Sequence, residues 1–342
     1  MGGWYDCYAS GVVRAFGKLV REATSRAVRR DSRLIMGPWP HGIGGQKCGE
    51  VDFGPQAAFD REALTLRWLA HWLKGEERGL LRELEPVRLF VTGESVWRGF
   101  AEWPPGEARE ERRYLGSGGR ANSLFGDGTL SRRRPGEQPA DGFDYNPDNP
   151  VPTLGGQVIG IPDCPPGPVD QRPLERRDDV LVYTGEPATE PLTVVGHVRV
   201  VLHASSSAAD TDFTAKLLDV WPDGRALILS DGIVRARYRR GFQREEVLAP
   251  GKVYEFTIDV GALAHTFLRG HRLRLDISSS NFPRFDRNLN TGEPLATGSR
   301  MEVAHQSVYH DRKHPSHLVL AVVASASAEK KARSKGERRG GA

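Results

Sequence analysis

The period of the apolar positions changes along the chain. Residues 11–23, GVVRAFGKLVREA, place Val12, Phe16, Leu19, Val20 and Ala23 on one helical face. RLIM at 33–36 is a short buried-strand run stopped by Gly37 and Pro38. REALTLRWLAHWLK at 61–74 predicts a helix with Asp60 as N-cap and Gly75 just past its end. Its Leu64, Trp68 and Trp72 recur at four-residue spacing, which predicts packing on a sheet. VRLFVTG at 87–93 reads as another strand. Helix and strand signals therefore alternate through the first hundred residues, as in α/β folds.

From about Gly106 the pattern changes. Gly/Pro-rich loops lead into segments with period-two alternation. In KVYEFTIDV, Tyr254, Phe256, Ile258 and Val260 share a face. In HRLRLDIS, Leu273, Leu275 and Ile277 oppose Arg272, Arg274 and Asp276. Further strands are expected at 179–184, 192–205, 212–221, 226–238 and 317–324. Seven or eight strands separated by turns predict an antiparallel two-sheet sandwich of jelly-roll type.

Composition sharpens this picture in three respects. A chain of 342 residues exceeds one ordinary core, so two domains are expected. Its 39 Gly and 23 Pro favour a turn-rich, β-heavy architecture. The net charge of +4 comes from the segment AEKKARSKGERRGGA, which holds six Lys/Arg and two Glu; the remainder is neutral. A short basic tail without a basic stripe on a folded element argues against nucleic-acid binding. No apolar run is long enough to span a membrane, and no signal peptide is visible. Cys7, Cys48 and Cys164 match neither a disulfide framework nor a CxxC pattern, which favours a cytoplasmic protein.

Candidate chemistry begins with Asp6, which ends the aromatic run GGWYD, and His41, which ends LIMGPWPHG. An acid after one strand and a histidine after the next is the order in which an α/β-hydrolase completes its triad. The histidine takes a proton from a serine and returns it to the leaving group; the acid fixes the tautomer and stabilises the imidazolium. A strand-end Asp and a loop His with no catalytic role would give the same pattern. Other motifs have simpler readings. Cys7 lacks an evident base and reads as a packed thiol. His310, His314 and His317 in HDRKHPSH are interrupted by Pro315, so they read as a loop entering the last strand and not as a metal helix. DYNPDNPVPTLG has Asp144, Asn146 and Asp148, but it lacks the turn glycine and final glutamate of a calcium loop. RRDD at 176–179 reads as a surface ion-pair cluster, and SSSNFPRFDRNLNTG as turn chemistry.

GGWYD, LIMGPWPHG, DFG, LRWLAHWLKG, VRLFVTGESVWRGFAEWPP, FDYNPDNPVPTLGG, DQRPLERRDDVLVYT, DTDFTAKLLDVWPDGRALILSDGIVRARYR and GHRLRLDISSSNFPRFDRNLNTG follow one another between Gly2 and about Val322. This series resembles the cocaine-esterase-like (CocE/NonD) hydrolases, which include X-Pro dipeptidyl peptidases and acylases. The resemblance implies the end of an α/β-hydrolase domain at 1–105 and a galactose-binding-like jelly roll at 106–326; the composition of 327–342 predicts a basic disordered tail. It places Asp6 as catalytic acid and His41 as base, and it puts Tyr8 and Ile159 near the acyl pocket. Gly160 stands where an aromatic would be expected, which implies a wider pocket. The substrates implied are small esters, amides or short peptides, and no cofactor is implied.

The family's nucleophilic serine lies upstream of the acid, in a Gly-x-Ser elbow. No Gly-x-Ser-x-Gly occurs here; Ser95 in GESVWRG has only the first glycine and follows the histidine. The expectation is a C-terminal fragment that lacks nucleophile and oxyanion hole and is inactive alone. Two alternatives remain open: a β-sandwich binding module, and one half of a split hydrolase completed by an N-terminal half. A homo-oligomer is also compatible with the sequence.

Overall fold

A computed structural model describes residues 1–42, 44–76, 79–294 and 297–325. The predicted basic tail lies outside the described residues. Among these residues no helix is long and apolar enough to cross a membrane.

The first body contains β1 (Gly2–Gly3), α1 (Ala9–Glu22), α2 (Arg26–Asp31), β2 (Leu34–Gly37), the small hairpin β3 (Lys47–Cys48) and β4 (Val51–Asp52), α3 (Arg61–Leu69), α4 (Leu80–Glu83), β5 (Val87–Val91) and β6 (Val96–Phe100). The sheet order is β1-β2-β5-β6, parallel except for the β5–β6 pair. Every residue of β2 is buried, as the continuous apolar run LIM requires of a strand covered on both faces.

Helix α1 forms where its periodicity predicted, but a different stripe faces inward. Ala9, Val13, Phe16 and Gly17 are buried, whereas Leu19 is exposed. Apolar residues occupy two overlapping helical stripes, so periodicity alone did not choose between them. Val12 and Leu19 instead line an open apolar groove of about 540 Å³ with Leu34, Leu64, Trp68 and Leu84. Asp60 caps α3 by accepting from the Ala63 N–H at 2.9 Å. A π turn continues α3 to Lys74, and Gly75 closes it at φ 71°. The expected packing of its tryptophans on a sheet does not occur. The helix buries no residue, and Trp72 is exposed with its ring 5.9 Å from that of Trp68.

The second body contains β7 (Arg109–Gly116), β8 (Thr129–Ser131), β9 (Asp141–Tyr145), β10 (Leu181–Gly185), β11 (Leu192–Ser206), β12 (Asp212–Val220), β13 (Ala226–Arg235), β14 (Tyr254–Phe267), β15 (Arg272–Ser278), β16 (Ala304–Tyr309) and β17 (His317–Val323). These eleven strands, more than the seven or eight expected, follow the path β13-β12-β15-β10-β8-β7-β17-β11-β16-β9, with β14 paired to β11. All pairs are antiparallel except β8–β10. The path doubles back, so that Phe213, Leu217, Leu275 and Ile277 share one core with Val200, Leu202, Phe256, Ile258 and Leu318. The predicted alternation in β14 holds: Phe256, Ile258 and Val260 are buried.

In β15 the polar side is not a solvent face. Arg274 and Asp276 are buried, because the 170–176 segment covers them and Glu175 meets Arg274 at 2.6 Å. The two bodies meet through Thr92, whose backbone pairs with Ala264 and Thr266, and through Gln157 Nε2, which donates to Trp4 O at 2.8 Å.

Acid should loosen this fold chiefly where its hydrogen-bonded carboxylates take protons. Burial disfavours the charged imidazoles of His203 and His317 and lowers both from their ordinary value. A group depressed in the fold contributes stability above its unfolded value, about 6.5, and that stability is lost as pH falls through the folded value. Burial opposes charge on Asp141 and Asp219. Hydrogen bonds from His310, Ala121, Ser117 and Tyr183 to the first, and from His265 and His271 to the second, nonetheless hold both carboxyls low. Their contribution is present above about 4 and is lost below it. Burial acts with the opposite sign on Asp212, pushing its carboxyl up to about 6, so that the fold gains from its protonation in the window where the histidines resist theirs. Urea midpoints measured across pH should therefore change little between about 7 and about 4 and fall steeply below about 4. A midpoint that stayed level below about 4 would remove the carboxylate contribution.

Candidate active site

The GGWYD stretch forms a short strand because two glycines let β1 approach the chain beyond β2. A Cβ on Gly3 would lie 2.0 Å from Trp39 O. Gly3 pairs with Gly37, and the loops beyond both strands are then laced together. The Trp4 N–H donates to Gly37 O at 2.8 Å and the Tyr5 N–H to Trp39 O at 3.1 Å. Asp6 N–H returns to Gly3 O, and Asp6 O accepts from the Ala9 N–H that opens α1. Trp39, fully buried, anchors the second loop by donating to Ala57 O at 2.8 Å. Asp6 and His41 thus sit beyond the carboxyl ends of adjacent parallel strands, where open α/β sheets place ligands.

The Asp6 carboxylate oxygens lie 3.2 and 3.3 Å from His41 Nδ1. Asp6 Oδ1 also accepts from the Tyr8 N–H at 3.0 Å and from the Cys7 thiol at 3.5 Å. The pair is asymmetric: the Asp6 side chain is 10% exposed and that of His41 is 52% exposed. The acid is fixed in a sheltered turn while the imidazole keeps an open edge. This arrangement holds a tautomer with the proton on Nδ1 and leaves Nε2 free to take one. Tyr8, exposed, places its ring 5.5 Å from the His41 ring. Cys7, expected to be packed, is partly exposed.

Among the described residues no hydroxyl is hydrogen-bonded to His41. Ser95 lies in the β5–β6 turn at φ 52°, with its carbonyl accepting from Gln56. A second Asp–His cluster lies at the wall of a separate cleft of about 190 Å³: Asp219 meets His271 Nδ1 at 2.9 Å and His265 Nε2 at 3.4 Å, and all three are largely buried. The three histidines of HDRKHPSH do not converge. His310 contacts Asp141, His314 contacts Asp311, and His317 Nδ1 bonds Pro315 O. Among the described residues, Asp6, Cys7 and His41 are the set of acid, thiol and imidazole groups whose donor atoms all lie within 4.8 Å of one another.

The loop carrying Ile159 reaches this region. Gly156 and Gly167 pair across its base, and Gln157 Nε2 donates to Trp4 O at 2.8 Å, two residues from the acid. Val158 is buried and Ile159 is exposed. Arg284 donates to Gln157 Oε1 at 3.3 Å and pairs with Asp231 at 2.9 Å. Sequence reasoning missed Gln157, Arg284 and Asp231. Their one signal was polar residues clustered in PTLGGQ, SDG and SNFPR, which turn chemistry explained equally well.

Residues 80–319 match the X-Pro dipeptidyl-peptidase C-terminal non-catalytic domain family. The chain is 41% identical over 326 residues to cocaine esterase of Rhodococcus sp. (strain MB1 Bresler), a match covering 94% of this chain and 55% of that protein. An aminopeptidase from the marine sediment archaeon Thaumarchaeota archaeon superposes with a TM-score of 0.80 at 28% identity, over 95% of this chain and 54% of its own. An α-amino acid ester hydrolase gives a TM-score of 0.79 at 28% identity, over 94% and 54%. The chain spans about half the length of these relatives.

Proposed function

Because the chain belongs to the cocaine-esterase-like and X-Pro dipeptidyl-peptidase superfamily of hydrolases, matching its C-terminal portion, we propose that Asp6 and His41 are the acid and base of a serine-hydrolase triad acting on acyl esters or amides. The observation that carries this reading is the sheltered carboxylate on Nδ1 of an imidazole whose other edge is open. His41 Nε2 takes the serine proton as the hydroxyl attacks the acyl carbon, then returns it to the leaving group. It next activates water to release the acyl-enzyme, with Asp6 stabilising the imidazolium at each stage. These steps require no metal or organic cofactor.

The serine and oxyanion donors are assigned to a part of the enzyme outside these 342 residues. Residues 1–105 contribute the acid and base, and 106–326 form a jelly-roll sandwich that holds the Ile159 loop against the site. Tyr8 and Ile159 flank the acyl pocket. The apolar groove of about 540 Å³ lies on the α1–α3 face near Met1, and β1 pairs with β2 alone among the described strands. Both features suit docking of the half that carries the nucleophile.

The isolated chain is expected to cleave an activated aryl ester no faster than free imidazole. Addition of a polypeptide carrying the Gly-x-Ser half should restore turnover. Rapid cleavage by the chain alone would overturn the external nucleophile. An inert complete assembly, tested across esters, amides and short peptides, would overturn the hydrolase reading.

A further inference from the structure

We propose that Asp6, Cys7 and His41 also form a binding site for a thiophilic divalent cation, Zn²⁺ being the natural probe, and that the bound ion disables the acid–base pair. The second clause rests on the proposed catalytic role; the first does not.

The donor set is one carboxylate oxygen, one thiolate sulfur and one imidazole nitrogen. Zn²⁺ accepts all three types, with bonds of about 2.0–2.3 Å. In a tetrahedral site with such bonds, ligand atoms lie about 3.3–3.8 Å apart. Asp6 and His41 already stand at 3.2 Å, and Asp6 and Cys7 at 3.5 Å. The third separation, Cys7 to His41, is within 4.8 Å. A small rotation of two partly exposed side chains would close it. The carboxylate is held by the Tyr8 N–H and by the turn into α1, so one ligand is preorganised. The exposed imidazole leaves an entry path and room for water as the fourth ligand.

Binding needs no oxidant or reductant. A Zn–S bond forms as the Cys7 S–H proton leaves to solvent, and the Nδ1 lone pair of neutral His41 forms the Zn–N bond. The Nδ1–H···Asp6 hydrogen bond is broken, and the remaining ring proton must sit on Nε2. An imidazole in that state cannot take a proton from serine. Metal occupancy and base catalysis are therefore mutually exclusive.

The test uses the whole 342-residue chain with Co²⁺ as a coloured substitute for Zn²⁺. The wild-type chain should bind one Co²⁺ with a thiolate-to-metal charge-transfer band and visible tetrahedral bands, both abolished by Zn²⁺. Cys7→Ser should remove the charge-transfer band, and His41→Ala should weaken binding at least about tenfold to a hundredfold. Cys164→Ser, at a buried thiol away from the cluster, should leave the spectrum unchanged. No charge-transfer band, or one that survives Cys7→Ser, would overturn the site. In a hydrolytically competent assembly, Zn²⁺ should inhibit the parent and spare Cys7→Ser; equal inhibition of both would overturn the regulatory clause. If His41→Gln left hydrolysis intact, the catalytic reading would fail while the cobalt spectrum stood. A missing spectrum alongside His41-dependent hydrolysis would sink this inference alone.

Discussion

Replacing His41 by Gln in an assembly that includes the serine is expected to lower kcat for an activated ester by about 10⁵- to 10⁶-fold, with little change in KM. That corresponds to about 7–8 kcal/mol of transition-state stabilisation. Glutamine keeps polarity and approximate size but cannot accept the serine proton. Asp6→Asn should lower kcat by about 10⁴-fold, through a different route. The Tyr8 N–H already donates to Asp6 Oδ1, so an asparagine oxygen would take that position. Its amide NH₂ would take the place of Oδ2, 3.3 Å from Nδ1, and compete there for that nitrogen's lone pair, favouring the tautomer with the ring proton on Nε2. The doubly substituted enzyme should be no slower than His41→Gln alone, since the two residues act as a unit. Initial rates with an aryl ester decide the matter: a His41→Gln variant retaining a tenth of the parent kcat would exclude His41 as the base.

Asp6 and His41 could be found in the sequence because each ends a short apolar run, and strand-end chemistry is local. The strands β10–β15 and β17 could be found for a related reason: alternation or apolar runs survive where one face meets a core. Strand β7 could not. Its REERRYLG opens on five consecutive charged residues, and it is held between β8 and β17 while Glu110 pairs outward with Arg199 and Glu111 with Arg132. In β9 and β16 the inward positions include Asp141 and Gln306, so the buried side does not read as apolar. The face of α1 was undetermined because apolar residues fill two stripes, and only the folded neighbours choose between them. The supports of the site were the least visible part. Gln157 lies 153 positions from the Trp4 carbonyl it holds. No local pattern encodes such a contact, and polar residues in Gly-rich turns carry no signature of burial.

Asp231→Ala is expected to destabilise the chain by about 3–5 kcal/mol, the usual consequence of leaving half of a buried ion pair behind. The Arg284 side chain is 13% exposed and that of Asp231 is 2% exposed, with 2.9 Å between them. Removing the carboxylate strands the guanidinium and also takes the acceptor from Asn281 Nδ2, which donates to Asp231 at 2.8 Å. The urea midpoint, followed by tryptophan fluorescence, should fall sharply; a loss below about 1 kcal/mol would mean that water or another acceptor replaces Asp231. The double variant Asp231→Leu/Arg284→Met separates folding from positioning. An apolar pair of similar volume removes both desolvation penalties and should recover most of the stability. It cannot restore the Arg284 contact to Gln157, and Gln157 is what ties the Ile159 loop to Trp4 beside the acid. In a complete assembly the double variant should therefore fold well yet turn over more slowly than the parent. If its kcat and KM match the parent, the Asp231–Arg284–Gln157 chain serves the fold alone, and the placement of Asp6 rests on the β1–β2 lacing without help from the second body.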